Sequence, residues 1–519
     1  MNKIFKVIWS KSKQCYIVVS EIAKNKTGKK KIVVASILAS LMMQQAAVIH
    51  AAIPEGNTTR SQSAIAIGTG SITDPGAGKI NQNAVAIGKV AKALTSKSVA
   101  IGSDSVATGY MTNNNSAIES ATAVGAHTNA DGKGAAAYGH GANATGTSTT
   151  AIGSKSQATA DGATAVGNYA KATGTSAIAI GGDDTYSEDT AAAKASASAA
   201  IAIGKKANAS GVSATAIGDG TTASGTATVA VGKAAQADLD NDNAFGNYVH
   251  ANAGGATAVG YIVNTTGNQA FGGGSNTNVS GSAAVGIGYM SEVSGNRAVG
   301  LGSELSGTKN TASGDYSVAI GAAAQGIAEG ATAIGKQATA SKSDAVAVGT
   351  GAAASETSAI ALGKSTQAKS SKSIAVGEGA VADGTATIAI GAGNNATGWG
   401  ATAIGKNVQV TKERSTGIGW DLTVDQSGST LLGYNSQVHA NQGTGLGSTI
   451  NIANTAQYGT GIGYQVDVSG KNAVAIGSSG DTGTHTTASA TDAVSIGTAT
   501  VASGEAATAI GKQATASKS

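Results

Sequence analysis

Residues equipped for chemistry are few and scattered. Beyond His50 the chain holds His127, His140, His250, His439 and His485, and no two of them lie at metal-ligand spacing. Each reads as a surface or turn residue. Segments that fit a phosphate-loop glycine pattern arise by chance in a chain with 75 glycines among 519 residues, and they lack the strand-to-helix context such a loop needs. The single thiol, Cys15, lies near the N-terminus; if that segment is removed, disulfides, cysteine metal sites and thiol nucleophiles go with it. The densest polar cluster is Asp183, Asp184, Tyr186, Glu188 and Asp189, four carboxylates around one aromatic ring without calcium-hand spacing. It reads as a ligand-contacting loop or as a plain solvated one. Aromatic residues make up 3% of the chain, and Tyr261, Tyr289, Trp420, Tyr434 and Tyr464 each directly follow a recurring glycine. An exposed Trp420–Tyr434 stack would grip a sugar face or an apolar patch, or else cover a subunit seam. No catalytic constellation and no cofactor motif is present, so the residues point to binding rather than catalysis.

The elements that must position these residues follow from self-similarity along the chain. Ala-Ile-Ala-Ile-Gly or a close variant closes on glycine at 30 positions from Gly68 to Gly511, and 23 of the 29 intervals share one length, fourteen. The others are 20, 23, 23, 19, 16 and 20, never shorter than that period. This is the pattern of residues looping outward from a fixed circuit. Small and apolar residues alternate with period two in two short stretches of each unit, a strand signal. A glycine at each boundary would cost a helix about 1 kcal/mol. Two short strands and two tight turns account for a unit, which predicts one coil of an all-β solenoid. Coils about 4.8 Å apart would then form a rod.

The alternation also predicts which face is buried. The branched residue before each glycine, such as Ile67, Ile87, Ile101, Ile203 or Ile390, is expected to stack as a ladder inside. The alanines between, such as Ala64 and Ala66 or Ala177 and Ala179, are expected to pack against another chain, with solvent or the opposite wall of the same coil as alternatives. Just after the glycines, Lys205, Asp219 and Lys233 alternate in sign on successive coils, and Lys364 precedes Glu378 by one period. Vertical neighbours of opposite charge are the expected result. The two longest intervals, one holding Asp183 to Asp189 and the other Tyr110 to Asn115, are expected to be surface loops.

The charge balance restricts the partners. Residues 1 to 51 carry nine Lys and one Glu, which leaves 25 basic and 29 acidic residues in the remainder. A weakly acidic body without basic clusters is a poor polyanion binder, so nucleic acid is not an expected partner. The basic segment 1–31, the apolar run Ile32 to Met43 and the small-residue exit near Ala51 form a secretory signal layout too short for a membrane span.

The long stretch before that apolar run, Asn2 to Lys24 with Trp9 and Val18-Val19-Ser20-Glu21, resembles the extended signal region of large Gram-negative autotransporters. With the Ala-Val-Ala-Ile-Gly units behind it, the chain resembles a trimeric autotransporter adhesin with YadA-like head repeats. That resemblance implies a left-handed parallel β-roll of about thirty fourteen-residue coils, two identical partner subunits, and display at the outer membrane through a C-terminal anchor. It also implies an organisation into an extended signal peptide (1–51), a leader (52–63) and a head (64–519). The end at Lys512 to Ser519, which repeats Lys336 to Ser343, falls in mid-roll and suggests a truncated chain. The implied function is attachment to host matrix, a host cell-surface glycoprotein or another bacterial surface. A self-associating structural rod, a polysaccharide-acting solenoid enzyme and an ice-binding solenoid are the alternatives. The enzyme lacks a catalytic cluster. The ice binder needs an unbroken Thr array, whereas Thr215, Thr332, Thr402 and Thr508 are interspersed with Val and Ile. Collagen binding in the family goes with Asn-Ser-Val-Ala-Ile-Gly units; here Lys97 replaces the Asn in one unit, and Ala84 and Ala473 replace the Ser in others.

Overall fold

A computed structural model describes residues 5–10, 15–20, 64–73, 83–111, 118–183, 191–479 and 483–518. Phe5–Ser10 and Cys15–Ser20 pair as an antiparallel hairpin. From Ile65 onward the described residues form a parallel β-solenoid, 54 short strands in one continuous sheet, with no helix among them.

A typical coil runs from the three-residue strand Thr150–Ile152, here the front wall, through Gly153 to the two-residue strand Gln157–Ala158, the back wall. Each wall pairs with its copy one period further along the chain: Thr150 with Thr164, Ala151 with Ala165, Gln157 with Lys171. The strands are short because the corners are wide. Residues with φ near +60° recur every seven positions, as at Val90, Lys97 and Asp104 (59°, 62° and 55°). A coil is thus two similar seven-residue halves, each ending in a left-handed turn. The closing glycines bring neighbouring backbones together. At Gly335 φ is +129°, and a Cβ there would lie 2.6 Å from the Gly349 carbonyl oxygen, a separation no side chain tolerates.

The expected inside and outside are reversed. Ala151, Ala158, Ala163 and Ala165 are completely buried, as are Ala177 and Ala179. The branched residues point outward: Ile67 is 56% exposed, Ile101 37% and Ile390 38%, while Ile87 and Ile203 are half-buried. The physical reason is width. So short a circuit, with two left-handed corners, leaves little room between its walls, so alanine fills most of it and the branched residue is turned out. The alanine face is therefore packed against the opposite wall of its own coil.

Where larger residues do enter, space is made for them across the coil. Between Thr402 and Val468 five strands extend to nine residues each, running unbroken through the corner. Val408, Val410, Leu422, Val424, Ile450 and Ile452 are buried on the back wall, and the front wall carries Gly417, Gly445 and Gly461 opposite them. A Cβ on Gly417 would sit 2.7 Å from Val408 Cγ1. The coil that instead carries buried Leu431 in front has Ser436 behind, in register with Leu422. Interiors packed near crystal density enforce such volume exchange.

Long intervals leave the register intact. Val99 pairs with Thr122 and Ile178 with Ile201, each across one of the two longest intervals. In the first of these, Tyr110 and Met111 pair antiparallel with Glu119 and Ile118, an excursion that leaves and rejoins at one place.

Candidate functional site

The corner after each closing glycine displays its side chain to solvent, because the residue before it faces out from the front wall and the corner turns away from the core. Tyr261, Tyr289, Trp420, Tyr434 and Tyr464 are all nearly half exposed there. Trp420 and Tyr434 are direct register partners whose rings meet edge to face, centroids 5.3 Å apart at 63°. Lys406, the partner of Trp420 on the coil before, lies 5.2 Å from the indole centroid. Three successive coils thus stack a cation, an indole and a phenol, in the geometry that favours cation–π attraction. The same device recurs where Lys155 covers Tyr169 and Lys233 covers Tyr248. In the expected column of alternating charge, Lys364 reaches Glu378 at 2.9 Å. That hydrogen bond, and then the carboxylate's charge, hold the lysine above its ordinary pKa.

Around the corner from Trp420, the back wall carries a second outward column: Gln409, Thr423, Gln437, Asn451 and Asp467, each in register with the next. Its later members join neighbouring side chains in one hydrogen-bonded chain. Asp425 holds His439 Nδ1 at 2.6 Å, and His439 Nε2 lies 3.0 Å from Gln437 Oε1. Gln437 Nε2 donates to Asn451 Oδ1, and Asn451 Nδ2 to Asp467 Oδ1, both at 3.2 Å. Asp467 Oδ2 in turn contacts His485 Nδ1. An open groove of about 410 Å³ runs over this chain, between the column and the left-handed corner residues Asp421, Asn435 and Thr449. Its lining is polar; no Lys or Arg contributes to it.

The other sequence candidates are not gathered here. Asp183 is 4% exposed, with its backbone N–H donating to the Asn168 carbonyl at 3.0 Å and its own carbonyl accepting from Asn168 Nδ2 at 2.9 Å. Asp184, Tyr186, Glu188 and Asp189 lie outside the described residues. Nor are the histidines merely solvated: His250, His439 and His485 each pair with an aspartate, Asp238, Asp425 and Asp467. Asp425 and His439 stand one period apart, so the repeat itself held that signal. The other pairs are diagonal or cross a longer interval and gave none. No group of three metal-ligating side chains comes together among the described residues.

The comparisons with known proteins agree with this architecture. The extended signal peptide of the type V secretion system matches residues 1–48. The YadA head domain repeat matches 80–110, 144–170, 158–183, 195–221, 209–235, 306–324, 327–352, 354–380, 382–407, 488–514 and 502–518. No curated protein matches the chain. The chain thus places YadA head repeats on a continuous parallel solenoid behind a type V extended signal peptide, which is consistent with a trimeric autotransporter adhesin.

Proposed function

We propose that residues 64–519 form the head of a homotrimeric adhesin that attaches a Gram-negative bacterium to host matrix, host cells or other bacteria. Residues 1–51 would act as the export signal and 52–63 as a leader. One observation supports the trimer most directly. The outward front-wall residues make an unbroken apolar column in register, from Ile390 through Ile404, Ile418, Leu432 and Leu446 to Ile462 and Ile476. Ile390, Ile418 and Leu446 are 38, 38 and 47% exposed in the single chain. Burying such a side chain is worth about 1.5 to 3 kcal/mol, and a continuous stripe of this length on a lone soluble chain is unusual. Packing three front walls around one axis would cover it and leave corners and back walls outside. A rod of that kind presents every contact three times, which raises effective affinity without new contacts.

The experiment is sedimentation of the mature head before and after Ile390→Lys and Ile418→Lys together. These side chains point away from the coil interior, so the β-signature should persist while the mass falls from three copies to one. A one-copy mass before substitution would remove the trimer reading, and a three-copy mass that persists after it would remove the front wall as the interface. Attachment of cells with and without the protein to matrix, host cells and other bacteria then tests adhesion itself.

A further inference from the structure

We propose that the groove over the back wall between Asp421 and His485 is a binding site for a neutral oligosaccharide; the inference rests on the adhesin reading and adds its ligand class. Three features of the groove point to a sugar. First, its polar groups are arranged for hydroxyls. Gln437, Asn451 and Asp467 present planar amide or carboxylate groups in consecutive coils, one step of about 4.8 Å apart. Amides both donate and accept, and carboxylates accept, which is the complement that neighbouring sugar hydroxyls require.

Second, the groups are fixed before any ligand arrives. The chain Asp425–His439–Gln437–Asn451–Asp467–His485 ties each side chain to the next. Below it, Ser436 accepts from the Ile450 N–H at 2.9 Å and donates to the Tyr434 carbonyl at 2.8 Å. Long polar side chains ordinarily lose rotamer freedom on binding; here most of that loss has been taken in folding. The volume, about 410 Å³, falls within the range of small-molecule sites.

Third, an aromatic flank adjoins the polar floor. Trp420 and Tyr434 immediately precede the lining residues Asp421 and Asn435 and stand exposed at the same corner. A ring with an apolar face and a polar neighbour suits a saccharide, which has an apolar C–H face and hydroxyls on its rim. Charge narrows the class. Asp421 and Asp467 line the groove, no Lys or Arg does, and the one histidine, His485, is already held by Asp467, so sulfated and sialylated chains meet like charge. A protein partner would seek an apolar centre, which the groove lacks. The site also faces away from the front-wall column, so a trimer built on that column leaves it open.

The test uses the intact trimeric head in calorimetric titration against neutral hexose and N-acetylhexosamine oligosaccharides, with a sialylated oligosaccharide and a heparin fragment as acidic counterparts. Saturable binding of a neutral oligosaccharide is expected, weakened about tenfold or more by Gln437→Ala and separately by Trp420→Ala. Because Gln437→Ala breaks the side-chain chain, its thermal midpoint is measured alongside. The exposed Trp420→Ala keeps the test meaningful if the first variant is unstable. Binding confined to the acidic chains, no binding of any probe, or neutral binding unaltered in a folded Trp420→Ala protein would overturn the proposal. Attachment by cells carrying the unsubstituted protein separates the two readings: attachment without any sugar binding sinks the groove alone, and neither attachment nor sugar binding sinks the adhesin as well.

Discussion

Two stretches of the same rod solve one packing problem in different ways. Between Thr311 and Ala396 every coil is narrow, with front strands of three residues and back strands of two around alanines such as Ala333, Ala347, Ala361 and Ala375. Between Thr402 and Val468 the strands run nine residues through the corner, and Val, Leu and Ile fill the interior. The left-handed corner survives in both, at Gln337 (φ 57°) and at Asn407 (φ 53°). What changes is the residue after it: Ala338 and Ala352 in the narrow stretch, Val408, Leu422 and Ile450 in the wider-filled one. Here the ladder runs through the turn that elsewhere interrupts it, across Ser436 as well as across the larger residues. Volume is traded across the coil instead of enlarging the circuit. The groove and the aromatic stack both lie on the stretch with continuous strands, where outward side chains are held in register on both sides of the corner.

The sharpest way to break the comparison is at the element the two stretches share. Gly335→Ala combines a left-handed φ with a Cβ 2.6 Å from backbone, and is expected to destabilise by roughly 2 to 6 kcal/mol, read as a lowered urea midpoint. A neutral result would mean that the closing glycines are not what sets coil spacing. Next in size is the volume exchange. Leu431→Ala should cost about 2 to 5 kcal/mol, and Gly445→Ala about 1 to 3 kcal/mol, since its Cβ would meet Leu431 Cδ1 at 2.7 Å. The double variant should be more stable than the two effects added together, by about 0.5 to 3 kcal/mol. Strict additivity would show that the two walls do not share one core.

The smallest effect concerns the joint where the narrow stretch begins. Asp315 accepts from the Asn296 N–H at 2.9 Å and from its side-chain amide, and these bonds, the backbone one foremost, hold its carboxyl below the ordinary 3.8. A lowered folded value means the contribution is present at neutral pH and is lost as pH falls through that value, below 3.8. Exchange of the Asn296 amide should quicken there and not in Asp315→Ala, where it is already fast. Equal exchange in both proteins at pH 7 would contradict the assignment.

Much of this was legible in the residues because a fixed period turns sequence distance into vertical adjacency. Trp420 over Tyr434 and Lys364 beside Glu378 follow from counting one period along the chain. Inside and outside did not follow. Alternation says that Ala389 and Ile390 face opposite ways, but not which faces in, and the usual preference for burying the branched residue pointed wrongly. The deciding quantity was the width of the circuit, set by corners whose left-handed residues include Lys, Gln and Tyr as well as glycine and so carry no single residue signature. The groove was hidden for a related reason: its column Gln409, Thr423, Gln437, Asn451, Asp467 shares polarity and position rather than identity.

Because the longer intervals leave the stack and rejoin it without disturbing the next pairing, and because each storey offers the one above the same edge it received from below, the rod has no preferred length. Adding or deleting one whole repeat within the alanine-filled stretch alters how far the tip reaches from its origin while the backbone pairing of every remaining storey stays as it was. Such a chain can be lengthened or shortened in graded steps, with reach and recognition changing independently of one another.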